Sequence, residues 1–163
     1  MKKLTNLVIF DFDNTLMDTP EQKEGMIIYK EKTGQDYPFN GWWSRKESLN
    51  MNIFDIQPNP VVLSDYYKHK ENGDTICLVT GRMKSLQKYV VEILNKYDLN
   101  FNGGIYCRDG GKDTLDFKLN LFKKMIDTDL YKSITIYEDR FEHIKEFQKW
   151  TSTLDIPNKI IFV

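Results

Sequence analysis

Leu7-Val8-Ile9-Phe10-Asp11-Phe12-Asp13-Asn14-Thr15 opens on four consecutive apolar residues and breaks at Asp11. An apolar run this short, without alternation, fits a strand covered on both faces, as in a parallel sheet. It leads into a tight exit loop carrying two carboxylates, Asp11 and Asp13. A carboxylate can attack phosphorus to give an aspartyl-phosphate. A second acid two residues on can protonate the leaving oxygen and then activate water. The attack brings two anions together, so a divalent cation is expected to offset the repulsion, and hard oxygen ligands suit magnesium. In isolation, Asp-x-Asp-x-Thr also fits a turn with a helix cap. Directly after a buried strand the pattern is far more specific.

Downstream, the same grammar repeats. Thr75-Ile76-Cys77-Leu78-Val79 and Ser133-Ile134-Thr135-Ile136-Tyr137 read as further buried strands, Gly104-Ile105-Tyr106-Cys107 and Lys159 to Val163 as shorter ones. Helical patterns are expected over Glu21–Lys32, Val61–Lys70, Met83–Tyr97, Leu115–Ile126 and Arg140–Trp150. The third carries an apolar stripe at Leu86, Val90, Ile93, Leu94 and Tyr97. Strands alternating with helices imply an α/β fold, a Rossmann-like three-layer sandwich with a mostly parallel sheet. From Gln35 to Asn59 the chain is rich in aromatics, Asn and Pro without a clean period. This predicts a single domain over 1–163 with a small, partly structured cap or lid inserted at about 18–72.

The 163 residues suffice for one domain with a real core. With 40% hydrophobic and 29% charged residues, the composition is that of an ordinary globular chain. A formal net charge of −1 argues against gripping nucleic acid by bulk charge, though a local basic pocket stays open. No apolar run is long enough for a membrane span. The opening Met1-Lys2-Lys3-Leu4 imitates a signal peptide, but Asp11 and Asp13 cut the apolar stretch short and no cleavage site follows, so it reads as the start of a strand. Cys77 and Cys107 show no metal-ligand spacing and read as two buried thiols in a reducing cytoplasm.

The polar clusters all follow strands. Asp11 follows the first, Thr80-Gly81-Arg82 the second, and Glu138-Asp139 the Ser133–Tyr137 strand. In an open parallel sheet, ligands bind beyond the carboxyl ends of the strands, so the three clusters are expected on one rim. Thr80 can offer its hydroxyl to a phosphoryl oxygen or cap the next helix. Arg82 can hold a phosphate oxygen by charge-assisted bonds or sit solvated in a first turn. Lys118, early on a helix, can balance the nucleophile and the transferred phosphate, or be a surface lysine. Glu138 and Asp139 form a natural metal anchor, or an anionic start to a helix. Asp11, Asp13 (through its carbonyl), and Glu138 and/or Asp139 are the candidate magnesium ligands.

The order of these motifs resembles the haloacid dehalogenase (HAD) superfamily. Phe10-Asp11-Phe12-Asp13 with Thr15-Leu16 and Thr19-Pro20, Gly41-Trp42-Trp43, Thr80-Gly81-Arg82, Phe117-Lys118, and Tyr137-Glu138-Asp139-Arg140 with His143 and Phe147 resemble more narrowly the Swiss Army Knife RNA-repair-like HAD family. The resemblance implies an aspartate-nucleophile phosphatase acting on a phosphorylated substrate, a nucleotide or an RNA or DNA end. In these terms Asp11, Asp13, Thr80 and Lys118 are catalytic, and Thr15, Arg82, Trp42 and Trp43 bind substrate. The acidic pair departs from the superfamily's usual Asp-Asp or Gly-Asp-x-x-x-Asp, which leaves the direct ligand among Glu138 and Asp139 open. Trp42 and Trp43 are either the core of a small subdomain or platforms for a base. His143, four residues after Asp139, either supports the site or is structural. His69 is expected to be solvated. The rival functions are a phosphatase of small phosphometabolites and a phosphate-binding module without turnover, and the intact Asp11 and Asp13 count against the second.

Overall fold

The computed structural model describes residues 4–163, so the leader-like residues 1–3 lie outside the described part of the chain. Strand β1 (Thr5–Phe10) is the centre of a five-stranded sheet. The other strands are β4 (Thr75–Met83), β5 (Gly104–Arg108), β6 (Tyr131–Glu138) and β7 (Asn158–Phe162), in the order β5-β4-β1-β6-β7. Every pairing in this sheet is parallel. The chain works outward from β1 to β4 and β5, then crosses back to β6 and β7. The direction therefore switches between β1 and β6, the place where open α/β sheets bind ligands.

Alternation along β1 explains the layers. Val8 and Phe10 face one core with α2 (Pro60–Glu71) and α3 (Gln87–Lys96). Leu7 and Ile9 face the other with α4 (Thr114–Ile126) and α5 (Phe141–Thr151). These four side chains of β1 are at most 1% exposed, as an uninterrupted apolar run on a two-sided strand requires. Cys77 and Cys107 are buried free thiols, pushed by burial up to about 12 and about 11. No helix among the described residues is long and apolar enough to cross a membrane.

The expected insertion divides. Two-residue strands β2 (Met17–Asp18) and β3 (Gln57–Pro58) pair antiparallel and close a neck. Residues 19–56 project from it and contain α1 (Gln22–Thr33). Its apolar side chains extend the core on the α2 and α3 side of the sheet and gather around Trp42, whose ring packs 5.4 Å from the rings of Tyr37 and Phe54 and whose indole N–H donates to the Pro20 carbonyl at 3.0 Å. Gly25 sits mid-helix because a Cβ there would lie 2.1 Å from the Trp42 ring. The remainder of the expected 18–72 insertion, α2, is instead a layer of the main sheet. Asn59 caps it and Pro60 starts it, and Val62 and Tyr66 are buried in the core. His69 on this helix is not solvated: it bonds Asp74 at 2.7 Å and the Tyr137 hydroxyl at 3.0 Å. The helix expected from Met83 begins at Gln87, after a short 3-10 turn, because β4 runs on through Thr80-Gly81-Arg82.

Candidate active site

The parallel ladder of β1 continues one residue beyond the strand, with Asp11 N donating to Tyr137 O at 3.1 Å. The chain then turns back sharply. Leu16 N and Met17 N donate to the carbonyls of Asp11 and Phe12. Asn14 takes the left-handed conformation at φ 52°, which asparagine tolerates better than most residues. The result is a 7% exposed Asp11 carboxylate at the strand tip, in the floor of a cleft of about 560 Å³ also lined by Asp13, Trp43, Lys118 and Asp139.

Lys118 reaches this floor from α4. Asp113 caps the helix, accepting from Leu115 N at 3.0 Å. Gly81 lets the helix start approach β4, since a Cβ on it would lie 2.5 Å from Thr114. Lys118 is 2% exposed and its ammonium donates to Asp11 Oδ1 at 2.9 Å and Glu138 Oε2 at 2.6 Å. Burial alone would drive the Lys118 proton off, but the two carboxylates more than offset it and hold the ammonium charged. Asp11 is pushed well up by burial, with Glu138's charge adding to this and Lys118 opposing. Burial would raise Glu138 too. There the charge and hydrogen bond of Lys118, with the backbone N–H of Asp139, win and hold it far below the usual carboxylate range.

Carboxylate oxygens of Asp11, Glu138 and Asp139 lie within 4.8 Å of one another, an all-oxygen donor set that fits a hard divalent cation. The two acids of the pair differ in what is left for a metal. Glu138 Oε1 accepts the backbone N–H groups of Asp139 and Arg140, both at 3.2 Å, and Oε2 accepts Lys118. Asp139 lines the cleft, and among the described residues the donor to its carboxylate is the Thr15 hydroxyl, at 3.3 Å. Burial, then the bond and charge of Glu138, push Asp139 up to about 6.

Several candidates stand elsewhere than the sequence suggests. Arg82, expected on a phosphate oxygen, is 2% exposed and spends four of its five N–H groups inside the protein. Nε and Nη2 hold Asp13 bidentately at 2.9 and 2.8 Å, and Nη1 donates to Trp43 O at 2.9 Å and Ser48 Oγ at 2.7 Å. Thr15, expected on substrate, is fully buried, with its hydroxyl 3.3 Å from both Asp11 and Asp139. Thr80 is too far from α3 to cap it, and its hydroxyl accepts from Arg82 N at 3.1 Å. Of the two tryptophans, Trp42 is core at 2% exposed. Trp43 is 38% exposed on the cleft, its ring 4.9 Å from the Arg82 guanidinium. His143 is buried 3.6 Å from Glu138. Thr19, part of the motif resemblance but given no role there, donates to Asp13 at 2.9 Å, and sequence reasoning missed Ser48, which no motif marks. It also gave no role to Arg108 and Arg140, both on the cleft.

A carboxylate pair at the tip of the central strand, a lysine from α4 and an acidic pair at the end of β6 define the class of HAD-type phosphohydrolases. More narrowly, the chain belongs to HAD domain family 1 in Swiss Army Knife RNA repair proteins, whose profile matches residues 23–162. An uncharacterized protein of Saccharomyces cerevisiae is 27% identical over 177 residues, covering 94% of this chain and 38% of that protein. Among solved structures, a chain of the Pnkp1/Rnl/Hen1 RNA repair complex superposes with a TM-score of 0.63 at 18% identity, over 98% of this chain and 42% of that one. A class C acid phosphatase from Bacillus anthracis, with tungstate bound, gives 0.56 at 13% identity, over 92% and 61%. These likenesses establish the fold. This chain spans less than half the length of the yeast protein and of the RNA repair chain.

Proposed function

We propose that this chain is a magnesium-dependent phosphatase working through an aspartyl-phosphate on Asp11, and that it removes a phosphate from the end of a nucleotide or nucleic acid. One observation carries the reading: a buried carboxylate at a sheet's switch point, held at 2.9 Å by a buried lysine and opening onto a cleft. Asp11 Oδ attacks phosphorus as the bond to the leaving oxygen breaks, and Asp13 gives that oxygen a proton. A water then attacks phosphorus, Asp13 takes its proton, and the Asp11–phosphorus bond breaks. The bidentate Arg82 pair fixes the orientation of the Asp13 carboxyl group in the cleft. Lys118 neutralises Asp11 before attack and the phosphoryl oxygens after it, while Thr80 offers its hydroxyl to them. Asp11, the Asp13 carbonyl and Asp139 would hold magnesium, which supplies charge to offset the meeting of two anions. Glu138 keeps Lys118 in place.

We read the chain as one HAD-like domain with residues 19–56 as its cap. The nucleic-acid assignment is supported by the family and by Trp43, an exposed aromatic face on the cleft. Asp11→Asn should abolish magnesium-dependent phosphate release from an aryl phosphate without changing the melting temperature by more than a few degrees. Residual activity within tenfold of the parent would sink the covalent route. End-phosphorylated oligonucleotides turned over no better than sugar phosphates would sink the substrate assignment alone.

A further inference from the structure

Four cations line the cleft: two are largely spent and a third is tied to backbone carbonyls. Arg82 has one N–H left, and Lys118 is shared between two carboxylates. Arg108 braces the loop before α4, donating to Gly81 O at 3.0 Å and Lys112 O at 2.8 Å. Arg140 differs. It is exposed, and its guanidinium has no hydrogen-bond or ion-pair partner among the described residues. It is also placed against stability, because it is the N-cap residue of α5, where the helix dipole disfavours a cation. Packing, pairing and helix electrostatics therefore give no reason for an arginine at this position.

Charge in the cleft gives one. A single phosphate on Asp11 is answered by Lys118 and by the cation the carboxylate cluster would hold. Arg140 follows directly on Asp139, at the tip of the strand next to β1, so it stands beside that phosphate in the same cleft. A cleft of about 560 Å³ has room for much more than one phosphate. A planar fork with five unspent donors matches a second tetrahedral oxyanion.

We propose that Arg140 determines specificity by binding a second phosphate of the substrate, next to the one removed. This rests on the phosphatase reading above. The second phosphate is either the neighbouring diester of a polynucleotide end or another monoester on the same nucleotide. The test uses the full chain with magnesium and four substrates: an aryl phosphate, a mononucleotide, a dinucleotide with the same terminal phosphate, and a nucleoside bisphosphate. The 3′ and 5′ forms of the nucleotides are both assayed. The parent should favour at least one two-phosphate substrate over the mononucleotide by about tenfold in kcat/KM, mostly through KM, the size of one charged hydrogen-bond set. Arg140→Ala should bring that ratio to near one, and Arg140→Lys should keep part of it. The advantage should shrink as salt rises. The dinucleotide and bisphosphate arms identify the source. No advantage in the parent, or equal loss on every substrate in Arg140→Ala, overturns the proposal while leaving the phosphatase reading standing. Absence of phosphate release from all four substrates overturns both.

Discussion

Asp13 and Arg82 form a unit whose parts cannot be exchanged for look-alikes. A lysine at 82 offers a point charge. It cannot hold both oxygens of Asp13 and also reach the Trp43 carbonyl and the Ser48 hydroxyl. If Asp13 handles the proton and Arg82 acts only by orienting it, Asp13→Asn should lower kcat by about 10²–10⁴-fold, more for an alkyl than for an aryl leaving group. Arg82→Lys should then lower kcat with little change in KM for an aryl phosphate. Combined with Asp13→Asn it should add almost nothing, as for residues acting through one another. Losses that multiply in the double variant, or an Arg82→Lys effect confined to KM, would return Arg82 to the phosphate. A sequence shows a cation after a strand, but not that its fork is filled by an acid 69 positions earlier and by an insertion.

The inserted element explains why two adjacent tryptophans have different fates. Trp42 is fixed by Tyr37, Phe54 and the notch at Gly25, while the next residue points to the cleft. Trp42→Ala should therefore cost about 3–5 kcal/mol of stability and reduce activity on all substrates alike. Trp43→Ala should leave the melting temperature nearly unchanged and weaken nucleotide substrates by about tenfold relative to an aryl phosphate, the loss of one stacked base. Equal loss on both substrates in Trp43→Ala removes the platform. In the sequence, both residues sit in a segment with no period, so nothing local separates them. Elements with strong local signals were legible. β1 shows as an apolar run, α3 as a stripe, and the DxDxT loop as an acid pair beyond a strand. The place of α2 was not, since it depends on contacts such as Tyr66 to Asn100 and His69 to Tyr137, 34 and 68 residues away.

At the scale of the molecule, two buried acids and a half-buried one meet at one switch point with one lysine, so folding, protonation and the binding of a cation there would be linked. Asp139 is pushed up to about 6 by burial and by Glu138. Between the ordinary carboxylate value and about 6, the folded chain binds a proton that the unfolded chain has released. Its metal-free stability should therefore fall as pH rises through that window. Asp11, also raised, acts with the same sign. Glu138 is lowered, so its contribution is lost only in stronger acid and does not enter between pH 5 and 7.5. A cation held by Asp11 and Asp139 reverses the trend, because its binding requires the carboxylates and relieves their repulsion. At a hundredfold excess over Kd it adds about 2.7 kcal/mol, several degrees in melting temperature for a domain of this size. At pH 5 most of Asp139 is protonated, so magnesium should bind about tenfold more weakly than at pH 7.5. The rise in melting temperature on adding subsaturating magnesium should be correspondingly smaller at the lower pH. Asp139→Asn should flatten the metal-free pH dependence and remove most of the magnesium effect, whereas Glu138→Gln should disturb Lys118 and destabilise the chain with or without metal. Equal magnesium shifts at pH 5 and 7.5 in the parent chain would place the metal away from Asp139.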